Sequence, residues 1–83
     1  MLRYTIILDP DSDGIYTVTV PALPGVVTQG DTIEEALAMA RDAIELHLRG
    51  LLEDGEPIPT EVHSPQLLTL EVAMPDPAPA QTS

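Results

Sequence analysis

Three aspartates in Asp9–Gly14 (DPDSDG) are the residues of this chain most suggestive of metal chemistry, because they repeat the D-x-D-x-D-G spacing that opens an EF-hand loop. A complete loop also needs a bidentate Glu at its twelfth position and a helix in front of it. The twelfth position here is Val20, and the preceding residues are β-branched, so an Asp-rich β-turn is the better account. His47 and His63 lack the spacing of a ligand pair. Ser64 follows His63 directly, which builds no nucleophile–base geometry. The glycines are isolated turn and cap residues and form no phosphate-binding loop. A two-metal nuclease site would need several carboxylates converging on paired ions, and Asp9, at the end of a strand, has no acidic neighbours from a sheet to join it. No catalytic residue, metal site or cofactor is assigned, and the chain is expected not to be an enzyme.

The charge points toward a partner. Fourteen acidic residues face three arginines, Arg3, Arg41 and Arg49, giving a formal net charge of −11. Nucleic-acid binding rests on cationic side chains meeting phosphates, and three scattered arginines form no basic patch. Anionic membranes are disfavoured for the same reason. An acidic surface instead steers a basic partner toward itself, and also keeps a protein in solution. The Leu2–Leu8 run is too short for a membrane span or a secretory signal and carries Arg3 and Thr5, so a cytoplasmic location is expected.

The elements that must carry these residues are legible from the pattern. Leu2–Asp9 and Ile15–Val20 alternate as strands, and Pro10–Gly14 joins them as a tight turn, predicting an antiparallel hairpin. Pro21–Gly25 (PALPG) reads as a rigid loop into a short third strand, Val26–Gln29, ended by Gly30. Asp31 or Thr32, with Glu34 or Glu35 three residues on, marks a helix start. Ile33, Ala36, Leu37, Ala40, Ile44, Leu48, Leu51 and Leu52 then recur at helical spacing, up to a C-cap at Gly55 and a stop at Pro57. Glu56–Pro65 reads as an extended connection, Gln66–Ala73 as a last strand, and Pro75–Ser83 as a disordered tail.

The predicted fold is α+β, in the order β-β-β-α-β: a small antiparallel or mixed sheet with one helix on one face, all within residues 1–74. A domain of 83 residues buries only ~60% of the surface its unfolded chain exposes, and this one has no cysteine and only two aromatic residues to help. One helix cannot hide both faces of a sheet, so a second copy or another chain is expected to cover what is left.

Val20-Pro21, PALPG, then V-V-T-Q-G-D-T, E-E-A-L and Gly55-x-Pro57-Ile58-Pro59, in this order, resemble the HicB-like antitoxin family over about Tyr4–Pro59. The resemblance implies a truncated ribonuclease H-like fold without the nuclease site, homo-oligomers (dimer or tetramer), and a role in neutralising a small basic RNA-cleaving toxin of the HicA type within a type II toxin–antitoxin system. Val26 stands where the family often has Cys after the loop glycine. Longer members add a C-terminal ribbon-helix-helix or helix-turn-helix domain that binds DNA, and the Pro-rich tail is too short for either, so direct DNA binding is not expected. The candidate partner-binding residues are Pro21, Leu23 and Pro24 of the rigid loop, which loses little entropy on docking, and Glu34, Asp42 and Glu45 of the outward helix face. The alternative is an orphan homo-oligomer with no toxin.

Overall fold

The structure, a computed structural model, describes residues 2–63 and 65–76. β1 (Ile7–Pro10) and β2 (Tyr16–Thr19) form the expected hairpin, with Leu8 opposite Val18 and Pro10 opposite Tyr16. Its turn is held by Asp11: the backbone N–H groups of Asp13 and Ile15 donate to Asp11 Oδ1, each at 2.9 Å, and Gly14 takes the positive φ of 83°. β3 (Val27–Gly30) pairs antiparallel with β2, so the order is β1-β2-β3 and β1 lies at one edge.

β3 begins and ends one residue later than its expected span, and Gly30 does not break it. Gly30 sits opposite Tyr16 in the ladder, and its role is a close approach. A Cβ there would lie 2.5 Å from Ala36 N and 2.8 Å from Ala36 Cα. Only a glycine lets the strand run this close to the first turns of the helix.

α1 (Ile33–Glu53) starts at Thr32, whose Oγ1 accepts the Glu35 N–H at 3.0 Å, and Glu34 and Glu35 supply the acidic first turn. Asp54 caps the other end. Gly55, at φ +69°, donates to Leu52 O and Glu56 donates to Leu51 O, the paired bonds of a Schellman ending.

The core lies between the sheet and the helix in two adjoining clusters. Val18, Ala36 and Ala40 are buried together with Ile6, Leu8 and Tyr16 against them. Val20, Leu23 and Val26 are buried against Tyr4, Ile6, Ala43, Ile44 and Leu48. The two alanines bring the helix axis close to the strands, so the larger residues flanking them carry much of their surface at the margin. Ile33, Leu37 and Leu52, expected to face the sheet, are exposed. On the sheet's other face the register places Ile7, Asp9, Thr17, Thr19, Val27 and Gln29, none of which is buried.

The expected fourth strand differs most from the structure. Residues 66–73 have no regular secondary structure and pair with none of the three strands, and every residue from Pro65 to Asp76 is exposed. A strand exists only with a partner for its backbone groups. The alternating pattern is present; the partner is not. Among the described residues the sheet is thus wholly antiparallel and three-stranded. Of the expected tail, residues 77–83 lie outside the described residues.

Candidate partner-binding surface

After the helix the chain turns back along the sheet. Tyr4 OH donates to Pro59 O, while Thr5 N–H and Thr5 Oγ1–H donate to Glu61 Oε1 (2.7 Å) and Oε2 (2.8 Å). One half-buried carboxylate therefore ties residues 59–61 to the segment that leads into β1, through bonds strengthened by its charge. From Pro65 to Asp76 every residue is exposed.

Alongside that edge lies an open groove of about 410 Å³, lined by Leu2, Tyr4 and Ile6 from the strand side and by Leu37, Ile44 and Leu48 from the helix. Arg41 and Glu45 stand at its rim. Apolar walls with few polar groups suit a complementary apolar chain, and offer no cluster of groups for chemistry on a small molecule. Among the described residues no three His, Cys, Asp or Glu side chains come together to hold a metal ion. Asp9 is exposed and pairs across the ladder with Thr17. His63 is exposed, and His47 is half-buried beside Val26, Val27 and Leu46. No helix among the described residues is long and apolar enough to cross a membrane.

The six candidate contact residues do not form one patch. Pro21 and Pro24 are exposed on the loop, but Leu23 between them is 1% exposed and anchors that loop in the core. The loop is braced by two backbone bonds, Leu23 N–H to Val20 O (2.9 Å) and Val26 N–H to Leu23 O (3.1 Å). Its core residues pack near Ala43, Ile44 and Leu48, toward the C-terminal half of the helix. Glu34 is in the first helical turn, roughly 20 Å along the axis from Leu48 at ~1.5 Å per residue. Asp42 and Glu45 are exposed near mid-helix. Glu45 alone of the six borders the groove. The groove itself, and the Glu61 tie beside it, are not visible in motif spacing. The signal for the groove is an imbalance: eight stripe residues on the helix and only three short strands to receive them.

Residues 4–76 match the family model described as the HicB-like antitoxin of bacterial toxin–antitoxin systems. The chain belongs to the HicB-like antitoxin family. In line with this, it resembles a solved N-terminal domain of the Burkholderia pseudomallei antitoxin HicB, with a TM-score of 0.64 and 36% identity over 76% of this chain and 72% of that one. That likeness agrees with the β-β-β-α architecture described above. Among sequence relatives, a UPF0150 protein of Thermoplasma acidophilum is 45% identical over 72% of this chain and 87% of its own length. Antitoxin HicB 1 of Photorhabdus laumondii is 47% identical over 70% of this chain, and antitoxin HicB of Escherichia coli K12 is 35% identical over 76%. This HicB-like chain spans only 37% and 47% of those two antitoxins, so it corresponds to one portion of them.

Proposed function

We propose that this HicB-like protein acts by binding, without turnover, as the antitoxin of a type II toxin–antitoxin pair, and that its target is a small basic RNA-cleaving protein of the HicA type. The observation that carries the reading is the family match over residues 4–76. The net charge of −11 supports the sign of the partner: an acidic surface speeds encounter with a basic one and disfavours acidic competitors. On this reading the exposed carboxylates Glu34, Asp42 and Glu45 meet the toxin's basic side chains. The stiff Pro21–Pro24 loop offers a surface that loses little freedom on docking. Binding blocks the toxin's RNA-contacting face, and both proteins work in the cytoplasm, where that RNA is.

The experiment is co-expression of the full chain with the product of the adjacent gene, which on this reading is a small basic protein. The expected result is a co-purifying complex and suppressed RNA cleavage, with affinity falling as salt rises. A basic neighbour that cleaves RNA undisturbed by excess of this protein would refute the antitoxin role.

A second reading, an orphan homo-oligomer, is favoured by one observation: Leu67, Leu68, Leu70, Val72 and Met74 are all exposed on the single chain. Such a patch marks an interaction surface. Self-association and toxin binding are compatible, and the proposed antitoxin is itself a homo-oligomer.

A further inference from the structure

From the geometry we infer that the segment after Glu61 is an exchanged arm: residues 66–74 of one copy pair with the free edge of β1 in a second copy, and Leu68, Leu70 and Val72 fill that copy's groove between the edge and α1. This deepens the self-association proposed above and rests on it; the antitoxin role does not depend on it.

Four observations converge on a second copy as the occupant. The first is the arm itself. Leu68, Leu70 and Val72 share one face of an alternating segment and are 81%, 83% and 81% exposed, while Thr69 and Glu71 fall on the other face. Three alternate leucine-sized residues facing water are a strand that lacks its sheet. The second is the site. Among the described residues β1 pairs with β2 alone, so its outer edge offers backbone groups, and the groove beside it presents Leu2, Ile6, Leu37, Ile44 and Leu48. Addition of an extended segment to such an edge, with alternate side chains in pockets, is a recurrent mode of recognition. The third is dimension. From residue 68 to 72 a strand spans about 13 Å at ~3.3 Å per residue, and from Leu37 to Leu48 the helix wall of the groove runs about 16 Å at ~1.5 Å per residue. The fourth is reach. The radius of gyration is 18.7 Å, where a compact chain of this length has about 12 Å, and the longest dimension is 62 Å against about 31 Å for the helix alone. The arm leads away from its own groove, which stays open.

Charge argues against the basic partner as occupant of this particular groove, because its rim carries Arg41 as well as Glu45 and its walls are apolar. Area argues for the copy. Two reciprocally exchanged arms and the grooves receiving them bury on the order of 1,500–2,000 Å², the size of a standard stable interface. The exchange is self-complementary, as two-fold symmetry requires.

The test uses full-length chains in a light-scattering mass measurement at tens of micromolar. The unmodified protein is expected at twice 8.9 kDa or a multiple of that. An arm variant, Leu68→Asp with Leu70→Asp, should associate on the order of 100-fold more weakly or worse and run as a monomer. Its helical far-ultraviolet signal should be retained, with only the strand contribution of the undocked arm lost, since Leu68 and Leu70 are exposed on their own chain. A groove variant, Leu37→Asp, at a position 43% exposed, should also be monomeric with its helix intact. Mixing the two variants should restore a heterodimer, because one sound arm then meets one sound groove. An unmodified protein that is monomeric overturns both self-association and arm exchange. A dimeric arm variant leaves self-association standing and overturns the exchange. Two monomeric variants that do not complement each other overturn the arm-in-groove pairing.

Discussion

Replacing Gly30 by alanine adds one methyl group where the structure has no room for it. The new Cβ would stand 2.5 Å from Ala36 N and 2.8 Å from Ala36 Cα, about 0.6–0.9 Å inside the 3.4 Å where ordinary contact begins. Both atoms belong to the backbone of α1, so no side-chain rotation relieves the clash. The helix must back away from β3 and loosen the contacts of Ala36 and Ala40 with Val18. Forced overpacking of this kind costs ~1–3 kcal/mol. In a domain of this length each kcal/mol lowers Tm by about 4–8 °C, so a fall of roughly 4–24 °C is expected. The assay is thermal unfolding followed by circular dichroism at one fixed protein concentration. Gly50→Ala is the control: nothing lies within 4 Å of its added Cβ, it is within α1, and it should stabilise by about 0.5–1 kcal/mol. A Gly30→Ala protein as stable as the parent would refute the argument that Gly30 is required for close helix–strand approach.

Three other substitutions test separate links. Thr32→Ala removes the acceptor for the Glu35 N–H and should cost about 1 kcal/mol in chemical denaturation, with Thr32→Asp close to the parent. Leu23→Ala, at the fully buried anchor of the Pro21–Gly25 loop, should cost about 2–5 kcal/mol, enough to leave a domain this small largely unfolded at 37 °C. Glu61→Ala leaves the Thr5 N–H and hydroxyl without their carboxylate acceptor and should cost about 1–3 kcal/mol, with faster amide exchange at Thr5.

Local signals in the sequence were strong where each element satisfies itself. The hairpin turn, the Thr32 cap and the Gly55 ending each follow from residues only a few positions apart, and all three stand as expected in the structure. Gly30 was harder. Its pattern value is that of a strand breaker, but its role is set by Ala36, which approaches it through the packing of helix on sheet. Leu23 looked like part of an exposed loop because its neighbours are Pro and Gly, and only the fold shows it turned into the core. Residues 66–73 carry a valid strand pattern, yet alternation specifies faces and says nothing about which edge receives them. The groove beside β1 was legible only as unmatched apolar surface, since its walls come from Leu2 at one end of the chain and Leu48 far along the helix.

The central claim is that the apolar surface left beside β1 and along residues 67–74 belongs to an interface between polypeptides. Its most direct measurement is amide hydrogen exchange on the unmodified chain across a wide dilution series. At high concentration, with partner present, slowed exchange is expected along residues 66–73 and at the outward-facing amides of β1, and it should be lost together on dilution. Fast exchange along that arm at every concentration, both alone and with a bound toxin, would contradict the account.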